Sequence, residues 1–239
     1  MVSISISMEA MSSNAELAEI GKQLTRVKLS KVAPVLDKME QQGGEEVLPL
    51  FEAMLVGSLY FVKADKSLVI VVEQNPDDDS VVVSSAFSGE EILSFTKTEL
   101  KKVRVNNKLR RILRSKIAEL NLTSSDPSVR ESAVQNMLKK IDEETIVLLS
   151  RARLVETSSA VIEKIDLALS IGLLDSNDDE QRLAAIDSLR GVVEPIVRNR
   201  LLPLIEKDSQ GNYLEQNKAI VYAAQSALQQ IDRKLYFYG

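Results

Sequence analysis

Leu122-Thr123-Ser124-Ser125-Asp126-Pro127 and, 52 residues further on, Leu174-Asp175-Ser176-Asn177-Asp178 open two segments of the same design. In each, a leucine closes an apolar stretch and small polar residues make a turn. An aspartate then stands where a helix N-cap belongs, and Pro127 suits the first helical position. The match continues inward, pairing Arg130 with Arg182, Ala133 with Ala185, Val134 with Ile186 and Met137 with Leu189. A looser echo follows at Ala219-Ile220, Ala223-Ala224, Ala227-Leu228 and Ile231. Small alanines at facing positions let helices approach closely, as stacked helices require.

Outward from these segments the chain divides into four regions. Residues 1–13 carry small and apolar side chains without a positive charge. They read as a disordered leader or the remnant of a secretory signal. Residues 14–56 show helical spacing on three faces: Leu17, Ile20 and Leu24; Val32, Val35, Leu36 and Met39; Val47, Leu48, Phe51 and Leu55. Gly43-Gly44 separates the last two, and Pro34 and Pro49 each sit early in a segment, where a missing N–H is tolerated.

Residues 57–96 change character. Leu59–Val62, Leu68–Val72, Val81–Val83 and Ile92-Leu93 are short β-branched or aromatic runs divided by turn-rich stretches. They predict a small antiparallel meander inserted in a helical chain. Residues 97–239 return to helix, with Leu109, Ile112, Leu113, Ile117 and Leu120 on one stripe. The expected fold is therefore mainly α: degenerate, HEAT-like stacked helix pairs carrying a small antiparallel β insertion. The 52-residue period is longer than the ~40–47 residues of HEAT or armadillo units.

Composition removes most enzyme classes. The 239 residues include no Cys and no His, which excludes disulfides, thiol nucleophiles, imidazole metal ligands and Ser-His-Asp triads. Aromatics are 4% and Trp is absent, which leaves little for base- or sugar-stacking platforms. None of the nine glycines falls in a phosphate-cradling loop. No apolar run approaches the roughly 18 residues of a membrane-spanning helix. No catalytic set, cofactor site or metal site is expected, and the chain reads as a non-enzyme.

One segment stands out by charge. Residues 97–116 hold nine Lys and Arg against Glu99 alone, a net +8 in a chain of overall charge −5, leaving −13 elsewhere. Lys101, Lys102, Arg104, Lys108, Arg110, Arg111 and Arg114 form a candidate contact surface for phosphates, anionic headgroups or an acidic protein face. The plainer account is a solvated helix face paired with the acidic remainder. Nucleic acid is the least suited partner, because no aromatics interleave with these cations. Asp77-Asp78-Asp79 lacks the ligand spacing of a calcium loop and reads as a charged hairpin turn. Asp175, Asp178, Asp179 and Glu180 mark a helix start. Arg130 and Arg182 are expected to tie the first turn of a helix to the preceding loop.

Lys102-Val103-Arg104-Val105-Asn106-Asn107-Lys108-Leu109-Arg110-Arg111 resembles a segment in the soluble extension of urea-type ABC transporter permeases, relatives of the branched-chain amino-acid permeases. Gly57-Ser58-Leu59-Tyr60 with Lys63, Asp65, Val69 and Ile70 looks like that family's strand pair, and Ile231-Asp232-Arg233-Lys234-Leu235 like its helical portion. The resemblance implies a domain on the periplasmic face of the inner membrane. There it would work beside the permease transmembrane region, a substrate-binding protein and ATPase subunits that import urea or a related small amide. The family continues past this point into the bilayer, so Tyr236, Phe237 and Tyr238 are expected to be membrane-proximal and frayed. The alternative is a free-standing cytoplasmic HEAT-like scaffold that binds an acidic partner.

Overall fold

The computed structural model describes residues 2–74, 79–88 and 92–238, with backbone alone at 2–13, 92, 237 and 238. The chain is mostly helical, with one five-stranded antiparallel sheet, and divides into two compact units, Met1–Asn121 and Leu122–Gly239.

The first unit opens with α1 (Val2–Arg26), α2 (Val32–Gly43) and α3 (Leu48–Val56). Helix α1 begins at Val2, where the sequence predicts a disordered leader over 1–13. Neither Pro nor Gly interrupts the chain between Met1 and Gly21, and Met8, Glu9, Ala10 and Met11 are good helix formers, so the helix nucleated by the buried Leu17 and Leu24 extends backward. The expected faces supply most of the core: Leu17, Leu36, Met39, Val47 and Phe51 are almost wholly buried, while on α3 Leu50 and Met54 are buried and the expected Leu48 and Leu55 only half-buried. Gly57 ends α3 at φ +82°, a left-handed position that favours glycine, and its N–H donates to the Ala53 carbonyl at 2.9 Å.

Strands β1 (Leu59–Val62), β2 (Leu68–Gln74), β3 (Ser80–Ser85) and β4 (Ile92–Thr96) form the expected meander. A fifth strand, β5 (Leu100–Lys102), returns to the far side of β1, giving the order β4-β3-β2-β1-β5. Phe61 stands opposite Lys101 on that side and Leu59 opposite Ile70 on the other. The sequence reading placed residues 97–102 in the helical region. With one apolar residue, Leu100, followed by two lysines, β5 has no visible alternation, and lysines at a sheet edge deter further pairing. Strand periodicity sorts the side chains by face. Leu59, Phe61 and Leu68 join the helical core, while Val62, Val69, Val81, Val83 and Leu100 form a separate cluster with Tyr60 and Phe95. Asp77 and Asp78 of the acidic turn lie outside the described residues. The backbone N–H of Lys97 donates to the Asp79 carbonyl at 2.9 Å.

Helix α4 (Asn107–Leu122) carries the predicted stripe, with Leu109, Leu113 and Leu120 buried. In the second unit six helices follow: α5 (Pro127–Met137), α6 (Glu143–Val155), α7 (Ser159–Leu173), α8 (Asp179–Ser188), α9 (Pro195–Leu201) and α10 (Lys218–Tyr238). Ala133 and Ala185 are both buried at equivalent places on α5 and α8. The recurrence is a triplet rather than the expected pair. Helix α7 receives α5 and α6 as α10 receives α8 and α9. The echo at 219–231 is accordingly a counterpart of α7, not a third copy of α5. Val161, Ile165 and Ala168 match Ile220, Ala224 and Ala227 at an offset of 59, and all six are buried. The offset grows from 52 to 59 because a bridged loop, with Lys207 paired to Tyr213, separates α9 from α10.

Candidate contact surface

Asn106 begins the construction of the basic surface. Its Oδ1 accepts from the Leu109 N–H at 2.9 Å and so caps α4. The asparagine pair that carries the sequence resemblance thus has a local structural role: it turns the chain from β5 into α4. Lys108, Arg110 and Arg111 fall within the first five residues of α4, and no acid lies in its first turn. A helix N-terminus already carries partial positive charge, so these cations raise a field that local stability disfavours.

The structure brings four of the seven candidate residues together. Lys101, Lys102, Arg104 and Arg110 line a groove of about 600 Å³ with Leu29, Met54 and Gly57. Arg110 Nη1 donates to the Leu55 carbonyl at 3.0 Å, at the C-terminal end of α3. The Lys102 ammonium lies 5.8 Å from the centre of the Tyr60 ring, and so close to Gly57 that a Cβ there would stand 2.8 Å from it. Both cations offset the negative end of α3. Lys108, Arg111 and Arg114 lie outside the groove, exposed along α4.

Among the described residues the expectation that these charges pair with the acidic remainder holds at the two ends only. Lys97 pairs with Asp79 at 3.8 Å, and Lys116 bridges Asp37, at 2.7 Å, and Glu40. Burial alone would lower the Lys116 pKa, but its two carboxylates more than offset that and raise it. Among the described residues Lys101, Arg104, Lys108, Arg111 and Arg114 make no ion pair. Leu29 and Met54 have no charge signal in the sequence, so the apolar wall of the groove was not legible there.

The second unit accounts for the other residues singled out in the sequence. Asp126 accepts from the Ser128 N–H at 2.8 Å, and Asp178 from Glu180 at 2.9 Å, so both aspartates are N-caps. Asp175 pairs with Arg200 and Asp179 with Arg182. Arg130 reaches the carbonyls of Ser124 and Ser125, and Arg182 that of Leu174. Each arginine also meets a carboxylate the sequence reading did not single out. Arg130 binds Glu156 through two bonds, and Arg182 binds Glu215. The Arg130 guanidinium, helped by the N–H groups of Ser158 and Thr157, holds the Glu156 carboxyl at about 2. The Arg182 guanidinium lowers Glu215 in the same way. Glu156 and Glu215 are themselves 59 residues apart.

Tyr236 is 85% exposed, and the backbone at 236–238 is helical, as the end of α10. Of Phe237 and Tyr238 the side chains lie outside the described residues. Among the described residues no helix is long and apolar enough to cross a membrane, and no three acidic side chains converge as a metal site. Comparison with protein-family models, characterised proteins and solved structures gives no match.

Proposed function

We propose that this chain is a non-catalytic, extracytoplasmic accessory domain of a urea-type ABC importer permease, and that its basic surface holds it against an acidic protein face within that transporter. One observation carries the contact: among the described residues Lys101, Arg104, Lys108, Arg111 and Arg114, exposed cations in and just before α4, have no ion-pair partner, and the helix dipole disfavours those in its first turn. Unpaired charge of one sign steers and orients a partner more than it stabilises its own fold. The transporter itself is proposed from the sequence around Asn106-Asn107.

The experiment is co-purification of the chain with the permease, binding-protein and ATPase subunits of a urea importer. It uses the natural chain and a variant with Lys108, Arg111 and Arg114 changed to Gln. Salt-sensitive association with an importer subunit, lost in the variant, is the expected result. Association with anionic vesicles alone, or none that salt and these substitutions alter, overturns the contact. Recovery of the natural chain in the cytosolic fraction, away from the importer, favours a cytoplasmic scaffold of HEAT-like type instead.

A further inference from the structure

The second unit carries a groove of the opposite sign. It has a volume of about 810 Å³ and runs along α7 from Ala160 to Leu173, flanked by Glu131 of α5 and by Ser188 and Leu189 at the end of α8. Fourteen residues of helix, thirteen steps of about 1.5 Å, make it about 20 Å long. A groove of that length can take the side chains from one face of a helix of about three to four turns. Leu167, Leu173, Leu189 and Val192 give it an apolar floor. Glu131, Glu163, Asp166 and Glu194 give it an acidic rim, with Lys164 the one cation in the lining.

Two of the four carboxylates are already engaged: Glu131 with Lys164 at 3.9 Å and Asp166 with Arg153 at 2.7 Å. Glu163 and Glu194 have no cationic partner among the described residues. We infer that this groove binds a cationic amphipathic helix of another protein, its leucine-like side chains on the floor and its lysines or arginines against Glu163 and Glu194. Helix-in-groove recognition lays the apolar face of an amphipathic helix on such a floor, and an acidic rim is complementary to cations on its flanks. A second copy of this chain is a poor fit. Its most basic helix, α4, buries Leu109, Leu113 and Leu120 in its own core and offers charge without apolar side chains. The inference stands apart from the transporter reading.

The test is calorimetric titration of the full chain with a 14-residue peptide of Leu and Lys, leucines on one face, beside a Ser/Lys peptide of equal charge. The Leu/Lys peptide is expected to bind at least tenfold more tightly than the Ser/Lys peptide, and more weakly as salt is raised. Glu163→Gln with Glu194→Gln should raise Kd at least fivefold. Ser170→Trp, which fills the groove, should raise it at least tenfold. Circular dichroism checks that each variant is folded, and if Ser170→Trp is not, the glutamine pair decides alone. Equal binding of the two peptides overturns the inference, as does a Kd that the glutamine pair moves less than twofold. A concentration-dependent dimer dissolved by the glutamine pair would name a second copy as occupant and overturn it too.

Discussion

Arg130 grips Glu156 across 26 residues of chain, Nε to one carboxylate oxygen at 2.7 Å and Nη2 to the other at 2.8 Å. Its remaining nitrogen holds the Ser124 carbonyl at 2.6 Å, and Glu156 in turn accepts from the N–H groups of Thr157 and Ser158. One pair therefore ties the loop before α5 to the start of α7. The side chains are 14% and 3% exposed, enough burial for a bidentate pair to matter. Glu156→Ala should cost about 2–4 kcal/mol, because it strands a guanidinium and two backbone donors. Urea unfolding of the variant checks this, and a loss below about 0.5 kcal/mol would show the pair to be ornamental.

The same carboxylate sets a pH dependence. Its pKa is depressed from 4.5 to about 2 in the folded chain, so its contribution is whole above 4.5 and is lost as the pH falls toward 2. Asp142, held at about 2 chiefly by Lys140 and Thr145, acts in the same direction. Melting temperature should therefore drop as the pH falls from 5 to 2, and Glu156→Gln should flatten that drop. A slope unchanged in the variant would place the acid sensitivity elsewhere.

Ala133 and Ala185 show how much the sequence could reveal. The 52-residue offset marks both as buried helix contacts, and both are buried in the core of the second unit. Ala185→Arg should overpack the core and bury a charge, for more than the ~1–3 kcal/mol of overpacking alone. An unchanged denaturant midpoint would break the alignment. The triplet is hidden in the sequence because its third members are related by 59 residues, not 52, and because Glu156 and Glu215 lie beyond the segments that share the 52-residue offset. Strand β5 is hidden because three residues with one leucine carry no period. The basic groove was half legible: its charges stand out in composition, but the walls from Leu29 and Met54 arrive from distant parts of the chain.

Lys116 and Lys108 share a helix and a charge but should respond in opposite ways. Lys116 is 14% exposed and bridges two acids of α2, so Lys116→Met should lose about 1–3 kcal/mol. Its raised pKa means that this contribution is full below its ordinary value of 10.5 and fades as the pH climbs through the higher folded value. Changing Lys108, Arg111 and Arg114 to Gln removes no ion pair among the described residues and relieves repulsion with the α4 N-terminus. That variant should keep its stability within about 0.5 kcal/mol or gain slightly. Thermal melts of the two variants side by side make the comparison. A large loss in the glutamine variant would mean that the basic surface serves the fold.

Lys234 ties the end of α10 to the segment that follows α8. Among the described residues Ile231 is the last of the core, 1% exposed. Lys234 then reaches back with its ammonium to the Gly191 carbonyl at 2.8 Å. Gly191, at φ +73°, follows the end of α8, where carbonyls point outward without intrahelical partners. A cation there satisfies one acceptor and offsets the helix dipole. Beyond it, Leu235 is 46% and Tyr236 85% exposed. Removing residues 235–239 should therefore leave stability within about 0.5 kcal/mol, whereas removing 234–239 should cost about 1 kcal/mol more. Lys234→Met in the full chain should reproduce that difference, which isolates the ammonium from the shortening of the helix. If both truncations cost several kcal/mol alike, the terminal aromatics complete the core of the second unit and are not available to any membrane or partner.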